Sequence, residues 1–93
     1  MIKPIVGMII ELHSFDNCVN LDRASNHQAG FNRDVEYFIR VSQGKKLKIT
    51  TILNNRTKNS GFWFMLNGAE KYHWWFNPLW IKRVCILKIR PLP

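Results

Sequence analysis

The chain has 93 residues, of which 46% are hydrophobic and 22% are charged. This length predicts a single domain, residues 1–93, with a modest core, and it excludes a multidomain enzyme. Fourteen Lys and Arg against six Asp and Glu give a formal net charge of +8. Residues 1–42 contain four basic and five acidic side chains, whereas residues 43–93 contain ten basic side chains and the single acid Glu70. The positive charge therefore belongs to the second half, and it favours a polyanionic partner.

Apolar stretches are short throughout the chain. The longest, residues 5–10 and 62–66, fall well below the roughly 20 residues that a membrane-spanning helix needs. Pro4, Gly7 and Glu11 interrupt the segment where a signal peptide would have an unbroken apolar centre. We therefore expect a cytoplasmic protein with no membrane partner.

The first third of the chain predicts a strand and a long loop. Residues 5–12 are rich in β-branched side chains and predict the first strand. Residues 13–33 show no sustained periodicity and many turn formers, so they predict a loop of a length that is often functional. A short helix over residues 21–28, capped by Asn20, is the alternative for this segment.

Two segments in the middle of the chain alternate between apolar and polar residues. The alternation over residues 35–41 predicts a strand, and residues 45–53 alternate again with Lys46 and Lys48 on the outward face. Ser-Gln-Gly at residues 42–44 forms a turn between them. The two strands are therefore predicted to form a hairpin.

The last third predicts further short strands and one turn of helix. Residues 62–66 are apolar on both faces, so either both faces are covered or one awaits a ligand. Residues 72–76 predict a fifth strand or its approach. Asn77 before Pro78 is suited to capping a single helical turn, which a return strand would follow. The tail over residues 84–89 could add a sixth strand.

These elements predict an all-β fold, a small and partly open barrel. The opening segment 3–10 (Lys-Pro-Ile-Val-Gly-Met-Ile-Ile), the central hairpin and the segment 74–81 (Trp-Trp-Phe-Asn-Pro-Leu-Trp-Ile) resemble the small Src-homology-3-like barrels of phage and bacterial proteins. The resemblance implies five to six strands, a long loop after the first strand and one helical turn near Pro78. For a phage-encoded protein, the expected location becomes the cytoplasm of the host cell.

The basic residues of the second half are candidate contacts to nucleic acid, because Lys and Arg neutralise phosphates without sequence preference. Exposed aromatic rings would add base stacking, worth about 1–3 kcal/mol per base. The candidates are Lys45, Lys46, Lys48, Arg56, Lys58, Lys82, Arg83, Lys88 and Arg90, with the rings of Trp63, Tyr72 and Trp74. The predicted function is non-catalytic binding of RNA or single-stranded DNA. The alternative for the rings is that they fill the core while the lysines only keep the protein in solution.

A protein-interaction module is the second functional hypothesis. Residues 62–66, together with Trp74 and Trp75, have the aromatic composition that interface hot spots favour. Such a module, encoded by a phage, would inhibit or redirect a host enzyme such as a defence nuclease, either alone or together with bound RNA.

The sequence does not predict an enzyme. His13, His27 and His73 are scattered, and no Cys-His or paired-carboxylate spacing accompanies them. The Asp residues do not follow the pattern of a calcium-binding loop, and no glycine-rich phosphate loop is present. We therefore expect no cofactor and no metal. Cys18 and Cys85 lack metal-binding spacing and are predicted to be free thiols.

Overall fold

The computed structural model describes residues 2–24, 31–54, 62–72 and 74–86. In chain order the elements are β1 (Ile9–Leu12), α1 (Phe15–Ala24), α2 (Arg33–Val41), β2 (Leu47–Asn54), β3 (Phe62–Leu66) and β4 (Ile81–Ile86), with short 3-10 turns at Glu70–Tyr72 and Pro78–Trp80.

The strands form a four-stranded antiparallel sheet in the order β3-β2-β1-β4. Both helices contribute buried side chains to the same core as the strands, so they cover one side of this sheet. The predicted all-β barrel of five to six strands is therefore wrong. Within the described residues the sheet is open, and its combination with two helices makes an α+β fold.

α2 occupies the segment for which alternation predicts a strand. Val35, Phe38 and Ile39 are buried, and this spacing of three and four residues defines one side of a helix. Tyr37 and Val41 lie on the exposed side of α2, although a strand would place them on the same face as Val35 and Ile39. Val35 and Ile39 thus fit both the strand period and the helical period, so alternation alone predicts the wrong element for this segment.

Local polar contacts favour the helical conformation of α2. The Asn32 side chain caps the helix, since its Oδ1 accepts a hydrogen bond from the Val35 N–H at 2.8 Å. Arg40 Nε lies 2.8 Å from Glu36 Oε2, an ion pair across one helical turn. A strand could make neither contact.

α1 lies in the segment that predicts a loop, and it begins before the alternative helix over residues 21–28. The Ser14 hydroxyl accepts a hydrogen bond from the Asn17 N–H at 3.2 Å and so starts the helix. Only a narrow stripe, Cys18 and Asp22, is buried, which explains the weak helical period. In the described ranges, no helix combines the length and apolar character that crossing a bilayer requires.

β1 is shorter than the predicted strand over residues 5–12. Residues 6–7 form a turn, and Gly7 has a φ of 92°, which favours glycine. The strand begins only at Ile9.

β2 and β3 form the hairpin, so the predicted partner of β2 at residues 35–41 is replaced by the strand that follows it. Their register pairs Ile49 with Leu66 and Thr51 with Met65, which leaves Thr50 as an extra residue. This bulge restores Ile52 to the buried face of the sheet.

The segment before β4 agrees in part with prediction. Among the described residues of the predicted fifth strand, Phe76 alone pairs, in an isolated bridge with Phe64. The predicted turn at Asn77-Pro78 is confirmed, because Asn77 Oδ1 accepts from the Leu79 N–H at 3.0 Å and caps Pro78–Trp80. The predicted sixth strand is not separate, since residues 84–86 continue β4, and residues 87–89 lie outside the described residues.

Aromatic side chains fill the core where the turn, the sheet and the helices meet. Phe64, Phe76 and Trp80 are fully buried. The Phe76 and Trp80 rings meet edge to face, with centroids 5.8 Å apart, and Phe31 stacks on Trp80 at 4.8 Å. Many of the aromatic residues in the second half therefore serve the core.

Candidate nucleic-acid interface

The side of the sheet turned away from the helices, here called the outer face, carries several predicted basic contacts. Ile10, Leu12 and Ile49 are buried on the helical side. Strand alternation therefore places their neighbours on the outer face. The described residues on it include Ile9, Glu11, Lys46, Lys48, Thr51, Leu53, Trp63, Met65 and Arg83.

Three charged residues form a row across the outer face. β1 pairs with β2 through Ile9 and Lys48, a register that brings Lys46 opposite Glu11. On the other side of β1, Glu11 pairs with Arg83 of β4. A lysine and an arginine that are 37 positions apart in the sequence thus flank one carboxylate.

The row borders a depression of about 410 Å³, here called the Glu11 depression. Its walls are formed by Glu11, Gly44, Lys46, Arg83, Val84 and Cys85. The volume lies in the range of about 300–1,000 Å³ that is typical of small-ligand pockets.

Glu11 holds Arg83 in place within this depression. Arg83 Nε donates a hydrogen bond to Glu11 Oε1, and this bond together with the carboxylate charge raises the pKa of Arg83 further above its ordinary value. The Arg83 side chain remains 65% exposed, whereas that of Glu11 is only 10% exposed. The Arg83 guanidinium is therefore oriented by the covered Glu11 carboxylate and remains accessible to solvent.

Other predicted basic contacts lie elsewhere or outside the described residues. Lys45 is exposed in the turn before β2. Lys82 is an extra residue in the β1–β4 register and does not join the row. Its charge acts on His13, which lies between β1 and α1. The remaining four, Arg56, Lys58, Lys88 and Arg90, lie outside the described residues.

The predicted stacking rings divide between the two sides of the sheet. Trp63 pairs with Leu53 on the outer face, where it is half-buried and its Nε1 is covered. Tyr72 packs edge to face against Phe38 with centroids 6.3 Å apart, and Trp74 packs against the core with its Nε1 buried. For these two rings, core packing describes the structure better than base stacking.

Two residues of this interface are absent from the predicted nucleic-acid contacts, although Trp75 belongs to the predicted protein-interaction surface. Glu11 is the only acid in the described strands, and an isolated acid near the N-terminus gives no signal of a basic partner 72 positions away. Trp75 precedes Phe76, whose bridge to Phe64 places Trp75 opposite Met65 on the outer face. Alternation within Trp-Trp-Phe, once the bridge is known, would have identified it.

The two thiols differ in their environment, although both are free. Cys18 is buried and donates to the His13 carbonyl at 3.6 Å. Burial, with a smaller contribution from the charge of Asp22, raises the pKa of the Cys18 thiol to about 12. Cys85 is half-buried and lines the Glu11 depression.

We expect an alkylating reagent at about pH 8 to modify Cys85 in the native protein and Cys18 only after unfolding, because the thiolate is the reactive form. Mass spectrometry of digested protein measures both rates. A Cys85→Ser variant should lose the fast modification. Equal modification of the two cysteines in the folded protein would contradict the burial of Cys18.

His13 should make the stability depend on pH. Burial and the positive charge of Lys82 lower its pKa below the ordinary value of 6.5. The unfolded chain therefore takes up this proton first, so the free energy of unfolding should fall as the pH drops below about 6.5. Urea denaturation at several pH values measures this dependence. His13→Asn should flatten the acidic side of the plot of unfolding free energy against pH, and Lys82→Gln should flatten it in part. An unchanged profile in His13→Asn would contradict the assignment.

No protein-family model, curated protein or solved structure matches this chain. Within the described ranges, no group of three His, Cys, Asp or Glu side chains could hold a metal ion. The interpretation of the outer face therefore depends on the chemistry of its own residues.

Proposed function

We propose that this protein binds RNA or single-stranded DNA, without catalysis, across the outer face of its sheet. The observation that carries the proposal is the shared exposed face of Lys46, Lys48 and Arg83, with Trp63 on the same side of the sheet. Cations supply salt-dependent attraction to phosphates, and a ring supplies a surface on which a base can stack.

The spacing of the cations supports an extended ligand. Lys46 and Lys48 point the same way from positions about 7 Å apart along the strand direction, and Arg83 lies two strand spacings, about 10 Å, from Lys46. A flexible single strand can follow such a surface and turn its bases towards Trp63. A duplex keeps its bases stacked inside and could use only the charges.

The test is the salt dependence of binding. Fluorescence anisotropy with a labelled short oligonucleotide should show an affinity that falls steeply between about 50 and 200 mM salt, with a log-log slope of about −0.7 for each phosphate contacted. A flat salt dependence, or no binding at the lowest salt, would refute the proposal.

A second candidate function, a protein-interaction module, is favoured by the exposed side of α2. Tyr37 and Val41 are four residues apart and 63% and 43% exposed, so they form one apolar stripe on the solvent side of the helix. If the protein still captures a partner from lysate after nuclease digestion, and the Tyr37→Ser variant does not capture it, this function is supported. Loss of every captured protein on digestion would favour nucleic-acid binding.

A further inference from the structure

Glu11 lies at the centre of the charged row, with a hydrogen-bond donor on each side. The register of the sheet places it between Lys46 of β2 and Arg83 of β4, each one strand spacing away. All three side chains line the Glu11 depression. Lysine and arginine carry only donors, and an ionised carboxylate carries only acceptors. Across the row the depression therefore presents a donor, an acceptor and a donor, in that order.

The two oxygens of the Glu11 carboxylate differ in their contacts. Oε1 accepts a hydrogen bond from Arg83 Nε, whereas Oε2 accepts none from the described residues. The Glu11 side chain is nine-tenths covered, and a covered oxygen without a donor costs free energy. One carboxylate oxygen is thus left to accept from a ligand. Arg83 uses only Nε in this contact, which leaves its terminal N–H groups for the same ligand.

The depression suits a neutral ring better than a phosphate. The Glu11 carboxylate would repel a phosphate placed beside it. Val84 and Cys85 add a less polar wall, against which a ring can pack. The rim at Gly44 is open, since no atom lies within 4 Å of the position that a Cβ would take there. A nucleobase of a bound strand can enter from this side.

Uracil and thymine have a base edge that complements the order of the row. Their imide edge carries a carbonyl oxygen, the N3–H donor and a second carbonyl oxygen. The N3–H meets Glu11 Oε2, and the two oxygens meet the long, flexible side chains of Lys46 and Arg83. All three groups of the row then have a partner.

The other bases match fewer of these groups. Cytosine has a bare ring nitrogen at N3, which would face the Glu11 carboxylate as one acceptor against another. Guanine has two adjacent donors that suit both oxygens of a carboxylate, but Oε1 already accepts from Arg83. In adenine the amino group projects beyond the ring nitrogens beside it, so a carboxylate that accepts from it keeps those nitrogens away from the flanking donors.

We propose that the Glu11 depression is a nucleobase pocket that binds the imide edge of uracil or thymine and discriminates against cytosine. This inference rests on the proposed function, because a bound strand delivers the base. Lys48 lies about 7 Å along β2 from Lys46, so a phosphate on Lys48 and the base in the depression can belong to the same or adjacent nucleotides. Lys46 has three N–H donors and can meet both a carbonyl oxygen and a phosphate. Glu11 orients Arg83 and accepts from N3–H.

Three short oligomers test the preference. The host is an oligocytidine whose central position carries cytidine, uridine or 3-methyluridine, which has a methyl group in place of the N3 hydrogen. We expect the uridine oligomer to bind the wild-type protein about tenfold more tightly than the other two, because only uridine gives Glu11 a donor. Fluorescence anisotropy at one fixed, low salt concentration measures the three affinities.

Glu11→Gln should abolish the preference. The amide oxygen of the glutamine can accept from Arg83 Nε, which turns its NH2 group towards the depression and replaces the acceptor there by a donor. This donor opposes the N3 hydrogen of uridine and suits the bare N3 of cytidine. The ratio of uridine to cytidine affinity should therefore fall to one or below. Lys48→Gln, outside the depression, is the matched control and should weaken all three oligomers while keeping their ratios.

Cys85 reports on occupancy of the depression in the wild-type protein, independently of any variant. A saturating amount of the uridine oligomer should slow alkylation of Cys85 at least several-fold, and a saturating amount of the 3-methyluridine oligomer should slow it much less. Circular dichroism of Glu11→Gln shows whether that variant keeps its fold, and the wild-type measurements decide the proposal if it does not.

The outcomes separate the two proposals. If no oligomer binds, the proposed function fails and this inference fails with it. If all three bind with salt-dependent affinity, but equally tightly and with equal protection of Cys85, the outer face binds nucleic acid and the base pocket is refuted. Tighter binding of the uridine oligomer without protection of Cys85, or with an unchanged ratio in folded Glu11→Gln, would place base recognition elsewhere and also refute the pocket.

Discussion

Replacement of both Lys46 and Lys48 by Glu should weaken the binding of a single-stranded oligonucleotide by about 100-fold at moderate salt. Each exposed lysine is assigned a charge-assisted contact worth about 1.5 kcal/mol, and two lost contacts amount to about two factors of ten. The log-log salt slope should become shallower by about 1.4, because two fewer phosphates are neutralised. Fluorescence anisotropy over a salt series measures both quantities.

The matched control reverses the same number of charges on the helical side of the molecule. Arg23 in α1 and Arg33 in α2 are exposed, so Arg23→Glu with Arg33→Glu gives the same change in net charge. This control should bind within a few-fold of the wild type. Equal weakening by the two double variants would mean that net charge, and not the outer face, determines binding.

Asp22→Ala should lower the free energy of unfolding by about 3 kcal/mol. Asp22 is buried in α1, and its Oδ1 accepts hydrogen bonds from Trp80 Nε1 at 2.8 Å and from Asn77 Nδ2 at 3.4 Å. Both donors belong to the capped turn before β4, so the Asp22 carboxylate links α1 to that turn. Alanine would leave two buried donors without this acceptor. Urea denaturation followed by tryptophan fluorescence measures the loss.

Variants of the same helix separate this contact from general effects on α1. Asn20 is exposed, and Asn20→Ala should change the free energy of unfolding by no more than about 0.5 kcal/mol. Asp22→Asn keeps an oxygen acceptor and should fall between the wild type and Asp22→Ala. A loss below about 1 kcal/mol in Asp22→Ala would show that the buried hydrogen bonds contribute little net stability.

Sequence periodicity predicted the second half of the fold better than the first. β2 follows its alternating pattern up to Ile49, beyond which the bulge at Thr50 reverses the predicted faces of the strand. The turn at Asn77-Pro78 follows its capping chemistry. Residues 35–41 alternate as clearly, but their burial follows a helix because Asn32 caps it and Phe38 faces the core. The alternation and the helical stripe share Val35 and Ile39, so periodicity alone cannot distinguish a strand from a helix in this segment.

Prediction of the interface was limited by pairing between distant segments. The outward direction of Lys46 and Lys48 follows from alternation within one strand, and the structure agrees. The neighbours of Arg83 depend on the β1–β4 register, which joins residues about 70 positions apart and contains two extra residues. No local pattern specifies such a register. For the same reason, the contact between Glu11 and Arg83 could not be predicted from the sequence.

Among the described strands, β4 lies at an edge of the sheet, and two of its residues are extra in the register with β1. Register shifts against β1 leave Lys82 and Cys85 as bulged positions. A bulge twists an edge strand, and a lysine on it makes the addition of a strand from another molecule costly. A regular β4 would offer a straight ladder of free backbone groups to a second copy. The irregular register thus protects this edge from strand-by-strand aggregation.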